Sequence, residues 1–332
     1  MMKILLPKCK ILAFVVKING GDFGTLTQKS VLATQELSGS FMTQTMTILV
    51  HFAKVCLRIL TGRYTYSKWE LLGCYLRLMG TSVAYHKIRS HKKSGQDVSC
   101  TTRIFDYTVH FTSYPQLINL FEEIFIFQVY HFTSDRMQPL IVDCGSHLGI
   151  SILYFKKLYP HSEILGFEPH PETFQFLKKN IEINGLPGVS IYNIALSNFE
   201  GKSPFFIKQP RNTLVSGIVG SPGATVVAKV DTRRLSNFIP RATDLLKIDV
   251  EGSETEILID LIQSGKIKLV RKMIGEYHPN AARLSLEEMI AKLEATNFTC
   301  EHNRDNIHPG ANESMIYCFQ NPDIRFGTSL PA

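Results

Sequence analysis

The stretch Leu140-Ile141-Val142-Asp143-Cys144-Gly145-Ser146-His147-Leu148-Gly149 constrains this chain more than any other. Apolar residues run into an acid, two glycines punctuate a turn, and an amphipathic segment from Ile150 to Leu158 follows. That is the profile of a buried parallel strand, a ligand-binding turn and a helix. Glycine belongs where backbone takes positive φ or must approach another group closely. Nineteen positions after Gly149, the apolar run Ile164-Leu165-Gly166-Phe167 ends in Glu168. An acid at that distance sits at the tip of the next strand, placed to bind a ribose diol. The pattern calls for a nucleoside-containing cofactor.

The turn itself narrows the choice. A dinucleotide site wants G-x-G-x-x-G, and a phosphate-binding loop wants G-x-x-x-x-G-K-[ST]; neither is present. The acid-started spacing D-x-G-x-x-x-G suits S-adenosylmethionine, which carries no phosphate. Its ribose would meet Glu168, and its sulfonium and ammonium groups would suit carboxylates such as Asp143 and Asp249.

The formal charge of +7 looks like a nucleic-acid signal until it is located along the chain. Residues 1–100 hold 14 Lys+Arg against 4 Asp+Glu, and the remaining 232 hold 22 against 25. The basic excess belongs to the first third, so a nucleic-acid partner is not expected. Contact between that basic third and a membrane surface or another anionic partner stays open. Seven scattered cysteines without a CxxC pair point to free thiols in a reducing compartment, hence a cytoplasmic protein. Cys300, His302, His308 and Cys318 match no common zinc spacing, and two thiols on facing strands are the simpler reading. Met1 to Val16 is interrupted by Lys8 and Lys10 and is not read as a signal peptide. No uncharged apolar run approaches the length of a membrane span.

Helical periodicity covers Met46–Leu60 and Trp69–Leu78, giving a variable, partly helical extension over 1–100 that ends at the polar linker His91–Asp97. A catalytic domain over 104–320 and a tail over 321–332 follow. Within the domain a strand spans 104–112, and a helix from Tyr114-Pro115 runs on to Phe125. The aromatic lead-in with Tyr107, Phe111, Phe125 and Tyr130 is placed to lie across the mouth of a site. Strands are expected at 140–144, 164–168, 189–195, 245–249, 269–275, 298–302 and 314–319, with helices between the first five. Segments 205–208 and 225–230 form a β-rich excursion around a polar loop at 212–217, and Arg233–Phe238 reads as helical. The result is a doubly wound, mostly parallel seven-stranded sheet with an antiparallel edge hairpin.

Several blocks occur in an order that resembles the FkbM-type S-adenosylmethionine-dependent methyltransferases. They are Glu123-Ile124-Phe125, Ile141 to Gly145, Phe167-Glu168-Pro169, Asn193 to Ser197, Leu246 to Glu254 and Gly275-Glu276-Tyr277-His278-Pro279. The run containing Asp249, Glu251 and Gly252 is the most specific. The resemblance covers about residues 104–320. It implies a class I, Rossmann-like methyltransferase acting on a hydroxyl of a sugar, glycan or small natural product. The expected cofactor contacts are Asp143, Gly145, Ser146, His147, Gly149, Glu168, Pro169, Ala195 and Asp249. One departure is visible: the family commonly has Asn at the position of His147.

Missing motifs also favour an oxygen acceptor. A [DNS]-P-P-[YF] turn, frequent in nitrogen methylation, is replaced by Asp249-Val250-Glu251-Gly252, and the Pro-Cys of cytosine C5 methylation is absent. Methyl transfer to oxygen needs in-line placement and a base. Candidates stand at C-terminal strand ends: His278 as first choice, because imidazole titrates near neutrality, with Asp249, Glu276 and Glu251 beside it. Ser253-Glu254-Thr255-Glu256 reads as a capping box in which Glu256 serves the helix start. Asp249, Glu251 and Glu276 have the chemistry to hold magnesium, but no metal site is assigned. Two other functional classes fit less of the chain. One is a degenerate methyltransferase-fold scaffold without turnover, motivated by His147 and the unusual first third. The other is an NAD-dependent oxidoreductase, which the missing middle glycine disfavours.

Overall fold

A computed structural model describes residues 40–91, 99–209, 212–220, 224–303 and 314–321. Most of the expected linker at 91–97, most of the expected tail at 321–332, and His308 lie outside the described residues. Contacts divide the chain into two units, Met1–Leu72 and Gly73–Ala332.

The first unit contains helix α1 (Ser40–Thr61) and the first five residues of α2 (Lys68–His91). The end of α1 is closed locally. The Gly62 amide donates to the Arg58 carbonyl at 2.8 Å, and Lys68 Nζ donates to the Leu60 carbonyl at 3.1 Å. These bonds satisfy carbonyls that a helix end leaves without partners. Val55, Cys56 and Ile59 are buried.

The second unit is built on a seven-stranded sheet. Its strands are β3 (Leu140–Cys144), β4 (Glu163–Phe167), β5 (Val189–Tyr192), β10 (Leu245–Ile248), β11 (Lys272–Tyr277), β12 (Phe298–Asn303) and β13 (Ser314–Gln320). Their order is β12-β13-β11-β10-β3-β4-β5, parallel from β5 to β11 and antiparallel at β11-β13 and β13-β12. This is the doubly wound sheet with an edge hairpin that the alternation of elements predicts. β3 and β10 are buried along their whole length, as near-continuous apolar strands covered on both faces should be. Helices α4 (Ile150–Leu158), α5 (Pro171–Ile183), α6 (Glu254–Gln263) and α7 (Leu286–Glu294) connect them. The strand order reverses between β3 and β10, so the chain leaves a crevice outside their C-terminal ends.

Several expectations are corrected. The strand expected over 189–195 ends at Tyr192, and Ala195–Ser197 (β6) joins a second sheet of order β6-β9-β7-β8. Asn193 makes the break: its side chain donates to the carbonyls of Glu168 at 2.8 Å and Pro169 at 3.0 Å. In that second sheet β7 is Gly201–Gln209 and β9 is Thr225–Arg234. The stretch expected as a polar loop at 212–217 is strand β8, Asn212–Gly217. The helix expected over 233–238 is a 3-10 turn, Leu235–Asn237, after β9. Strands β1 (Cys100–Ile104) and β2 (Tyr107–Phe111) form a hairpin, and the helix from Tyr114 ends at Phe121 (α3) before a π-helical turn, Glu122–Ile126. Cys300 and Cys318 face each other across the edge hairpin and form a disulfide, so free thiols are the wrong expectation for these two. Cys56 and Cys144 are buried thiols outside any disulfide. Among the described residues no helix is long and apolar enough to cross a membrane.

Candidate active site

The crevice holds a cavity of about 250 Å³ at the C-terminal ends of β3, β4, β10 and β11. The glycine turn forms its floor. Gly145 has φ +87°, and a Cβ there would run into the Asp249 carbonyl oxygen, so only glycine lets β3 turn beneath β10. The turn spends its amides internally. Gly145 and Ser146 donate to the Phe167 carbonyl at 3.0 and 2.8 Å, His147 to Glu168 Oε2 at 3.0 Å, and Gly149 to the Ser146 carbonyl at 2.7 Å. These four amides are therefore not offered to a pyrophosphate, in keeping with the missing third glycine.

Glu168 lines the cavity from the tip of β4. Its Oε2 accepts from the His147 amide and its Oε1 from the His170 amide at 2.9 Å. Burial raises its pKa to about 7, against the lowering effect of those two bonds. The carboxylate retains lone pairs toward the cavity and can accept two hydroxyl protons. His147, also lining the cavity, has φ +47°. Asn, Asp and His tolerate that left-handed backbone better than other side chains. An Asn at this position would meet the same conformational demand as His147. Burial holds His147 down at about 4, so it is a neutral group at physiological pH.

Beneath the turn lies a charge cluster. Lys247, 2 % exposed, has Nζ 3.1 Å from Asp143 Oδ1 and 3.5 Å from Asp249 Oδ2, and donates to the Gly145 carbonyl at 2.7 Å. Burial alone would lower its pKa; Asp143 and Asp249 more than reverse this and raise it. Asp143 is fully buried, accepts Ser151 Oγ–H at 2.6 Å, and does not line the cavity. It supports the turn where a cofactor contact was expected. Gly149 likewise stays out of the cavity and starts α4. Gly145, Ser146, His147, Glu168, Pro169, Ala195 and Asp249 line it, as does Glu276.

Asp249 accepts the Tyr130 hydroxyl at 2.9 Å. Burial would raise its pKa, but Lys247, His278 and the Tyr130 bond lower it, leaving an ionised carboxylate on the cavity wall. Tyr130 is the member of the aromatic lead-in that reaches the site. Glu123, on the π-helical turn, also lines the cavity.

His278 differs from its expected role. It is buried behind Glu251 and does not line the cavity. Its Nδ1 lies 2.7 Å from Glu254 Oε1 and its Nε2 3.3 Å from Glu251 Oε2. Burial would lower its pKa, but Glu254, Glu251 and Glu276 raise it well above the ordinary value. At neutral pH the ring already carries its proton and cannot take another. Ser253 makes no cap bond, so the expected capping box does not form; Glu254 accepts instead from the Gly252 amide at 2.9 Å and from His278. Glu251 sits at φ +58° on the cavity wall. Asp249, Glu276 and His278 each offer a donor atom within 4.8 Å of the others. Glu251 stands outside that trio; Lys247 pairs with Asp143 and Asp249, and His278 with Glu251 and Glu254.

Lys247 and Glu254 are the functional residues that pattern reading passes over. Lys247 had a visible signal: a lysine inside the apolar strand Leu245–Ile248 is buried and must find partners. Glu254 had none, because its partner His278 lies 24 residues on, just past the end of β11.

Residues 143–300 match the family model of the methyltransferase FkbM domain. Methyltransferase 1 of Beauveria bassiana is 31% identical over 159 residues, covering 41% of this chain and 64% of that protein. Methyltransferase sdnD of Sordaria araneosa is 28% identical over 205 residues, covering 52% and 79%. The 2-O-methyltransferase NoeI of Sinorhizobium fredii is 27% identical over 158 residues, covering 41% and 61%. The chain thus spans just under two thirds of the first of these relatives. Among solved structures, the methyltransferase FkbM from Methylobacillus flagellatus KT overlaps 57% of this chain and 45% of that one, at 14% identity and a TM-score of 0.43. The strand order, rather than that overlap, defines the fold.

Proposed function

We propose that this chain, whose residues 143–300 match the family model of the methyltransferase FkbM domain, transfers a methyl group from S-adenosylmethionine to a hydroxyl of a sugar or small natural product. One observation carries the cofactor assignment. Glu168 stands at the tip of β4, fixed by two backbone amides, and lines a cavity whose turn commits the amides of Gly145, Ser146, His147 and Gly149 to protein acceptors. A diol and a cationic centre suit a carboxylate acceptor; a pyrophosphate, itself an anion, does not. The assignment to oxygen draws on the missing nitrogen and carbon motifs, and NoeI is named as a 2-O-methyltransferase.

S-Adenosylmethionine supplies a methyl group on a positive sulfur, ready for direct attack. The chain supplies placement, which accounts for most of such a reaction. Glu168 accepts the ribose hydroxyls. Asp249, Glu251 and Glu276 give the cavity a negative wall that favours the positive cofactor. Tyr130 and Lys247 hold Asp249 Oδ2 in position. The acceptor hydroxyl donates to Asp249 or Glu276, and its proton passes to that carboxylate as the methyl group moves. Imidazolium His278 fixes Glu251 and does not exchange the proton. Calorimetry with S-adenosylhomocysteine tests the ribose assignment: Glu168→Ala should bind at least about tenfold more weakly, the loss of roughly one charge-assisted hydrogen bond. Unchanged affinity would remove Glu168 from the cofactor site.

A further inference from the structure

The active site leaves α1 without a role. Each helical residue advances the side chain by about 100°. Met46, Leu49, Val50, Ala53, Leu57 and Leu60 therefore share one stripe about 100° wide. Five of the six are large apolar side chains exposed between 39 % (Leu60) and 48 % (Leu57). Val55 and Ile59, on the opposite side of the helix, are buried at 1 % and 0 %. A helix that buries one side should be polar on the other; this one is apolar on both.

Charge decides what covers the outer stripe. Lys54 and Arg58, one turn apart and both exposed, run along one edge of it. From Met46 to Leu72 there are four cations (Lys54, Arg58, Arg63 and Lys68) against the single acid Glu70. Trp69 is 74 % exposed in the same unit. An apolar stripe bordered by Lys and Arg, with an exposed tryptophan, is the composition of a helix lying in the plane of a lipid interface. Long cationic side chains at the border let the apolar row sink while their charges stay among the headgroups. We propose that α1 is a peripheral anchor that seats this protein on an anionic lipid surface, through the stripe Met46–Leu60 and the cations Lys54 and Arg58. This goes beyond methyl transfer and does not depend on it.

Co-sedimentation of the full chain with phosphatidylcholine vesicles, with and without phosphatidylglycerol, tests the proposal. The protein should bind the phosphatidylglycerol vesicles at least about tenfold more tightly than the neutral ones. That preference should fade with salt, as the screening length falls from about 10 Å at 0.1 M to about 3 Å at 1 M. Leu57→Asp/Leu60→Asp should bind both vesicle types at least about tenfold more weakly, each leucine losing its apolar burial. Lys54→Glu/Arg58→Glu keeps the stripe and should lose only the anionic preference. Circular dichroism and melting temperature show whether each variant is folded; if the leucine variant is not, the charge variant alone decides. No vesicle binding by the unaltered chain, or equal binding to both vesicle types at low salt, overturns the proposal. So does a stripe that holds two copies together, seen as a dimer that Leu57→Asp/Leu60→Asp splits in ultracentrifugation while vesicles bind neither form.

Discussion

His278 Nδ1–H donates to Glu254 Oε1 at 2.7 Å, on the far side of its ring from Glu251. The pair connects the start of α6 to the end of β11 behind the cavity wall. The folded protein holds this proton more tightly than an unfolded chain, in which histidine titrates near 6.5. Its contribution to stability is therefore complete below that pH and is lost as pH rises through the higher folded value. At saturating cofactor, methyl transfer should show no acid limb near 6.5, because the proton never leaves over that range. Glu254→Gln should bring the alkaline limb down in pH and cost about 1.5–3 kcal/mol in urea unfolding. A rate that climbs through 6.5 in the unaltered protein would return His278 to the role of base.

Lys247 ties three parts of the site together through Asp143, Asp249 and the Gly145 carbonyl. Removing one member of a buried ion pair strands the other charge and costs about 3–5 kcal/mol. Lys247→Met should lower stability by that order. Adding Asp143→Asn should recover part of the loss, because the stranded carboxylate is gone. A double-mutant cycle by urea unfolding measures the coupling, and purely additive effects would refute the pairing.

Glu168 titrates at about 7 in the folded protein, raised by burial from 4.5. A raised carboxyl destabilises the fold as it ionises, so unliganded stability should fall as pH rises from about 4.5 through 7. A ribose diol donates to the ionised form, so S-adenosylhomocysteine affinity should rise over the upper part of that range. The rise should reach at most about tenfold for each pH step of one over which the bound ligand keeps the carboxylate ionised. Calorimetry at several pH values should give a slope in the unaltered protein and a flat line in Glu168→Gln.

His147 occupies left-handed backbone at the centre of the turn. His147→Asn should leave the melting temperature and cofactor affinity nearly unchanged. His147→Val, β-branched and poorly tolerated at positive φ, should cost about 1–2 kcal/mol. Equal loss in both variants would assign His147 a contact of its own rather than a conformation.

The fold was legible because the alternation of apolar strands and helices is a local signal, and it gave the order of elements along the chain. The glycine turn, Glu168 and Asp249 stood out by spacing, and Gly145, Ser146, His147, Glu168 and Asp249 line the cavity. What failed depended on neighbours. Asp143 looked like a ligand contact by position, yet Lys247 on the adjacent strand draws its carboxylate beneath the turn. His278 looked like a base by residue type, yet two glutamates from another segment hold its proton. Cys300 and Cys318 are 18 residues apart in sequence, and only the hairpin register brings them together. The break after Tyr192 came from the Asn193 side chain capping two carbonyls, which no propensity encodes.

The central claim is methyl transfer from S-adenosylmethionine to oxygen. It is tested most directly by incubating the full chain with methyl-labelled S-adenosylmethionine and a panel of sugars and hydroxylated small molecules, followed by mass analysis of labelled products. The account predicts label on an acceptor oxygen with one S-adenosylhomocysteine released per methyl group, and loss of that product when Asp249→Asn and Glu276→Gln are combined. Label found on nitrogen or carbon, or a chain that binds S-adenosylmethionine and releases no S-adenosylhomocysteine with any acceptor, would contradict it.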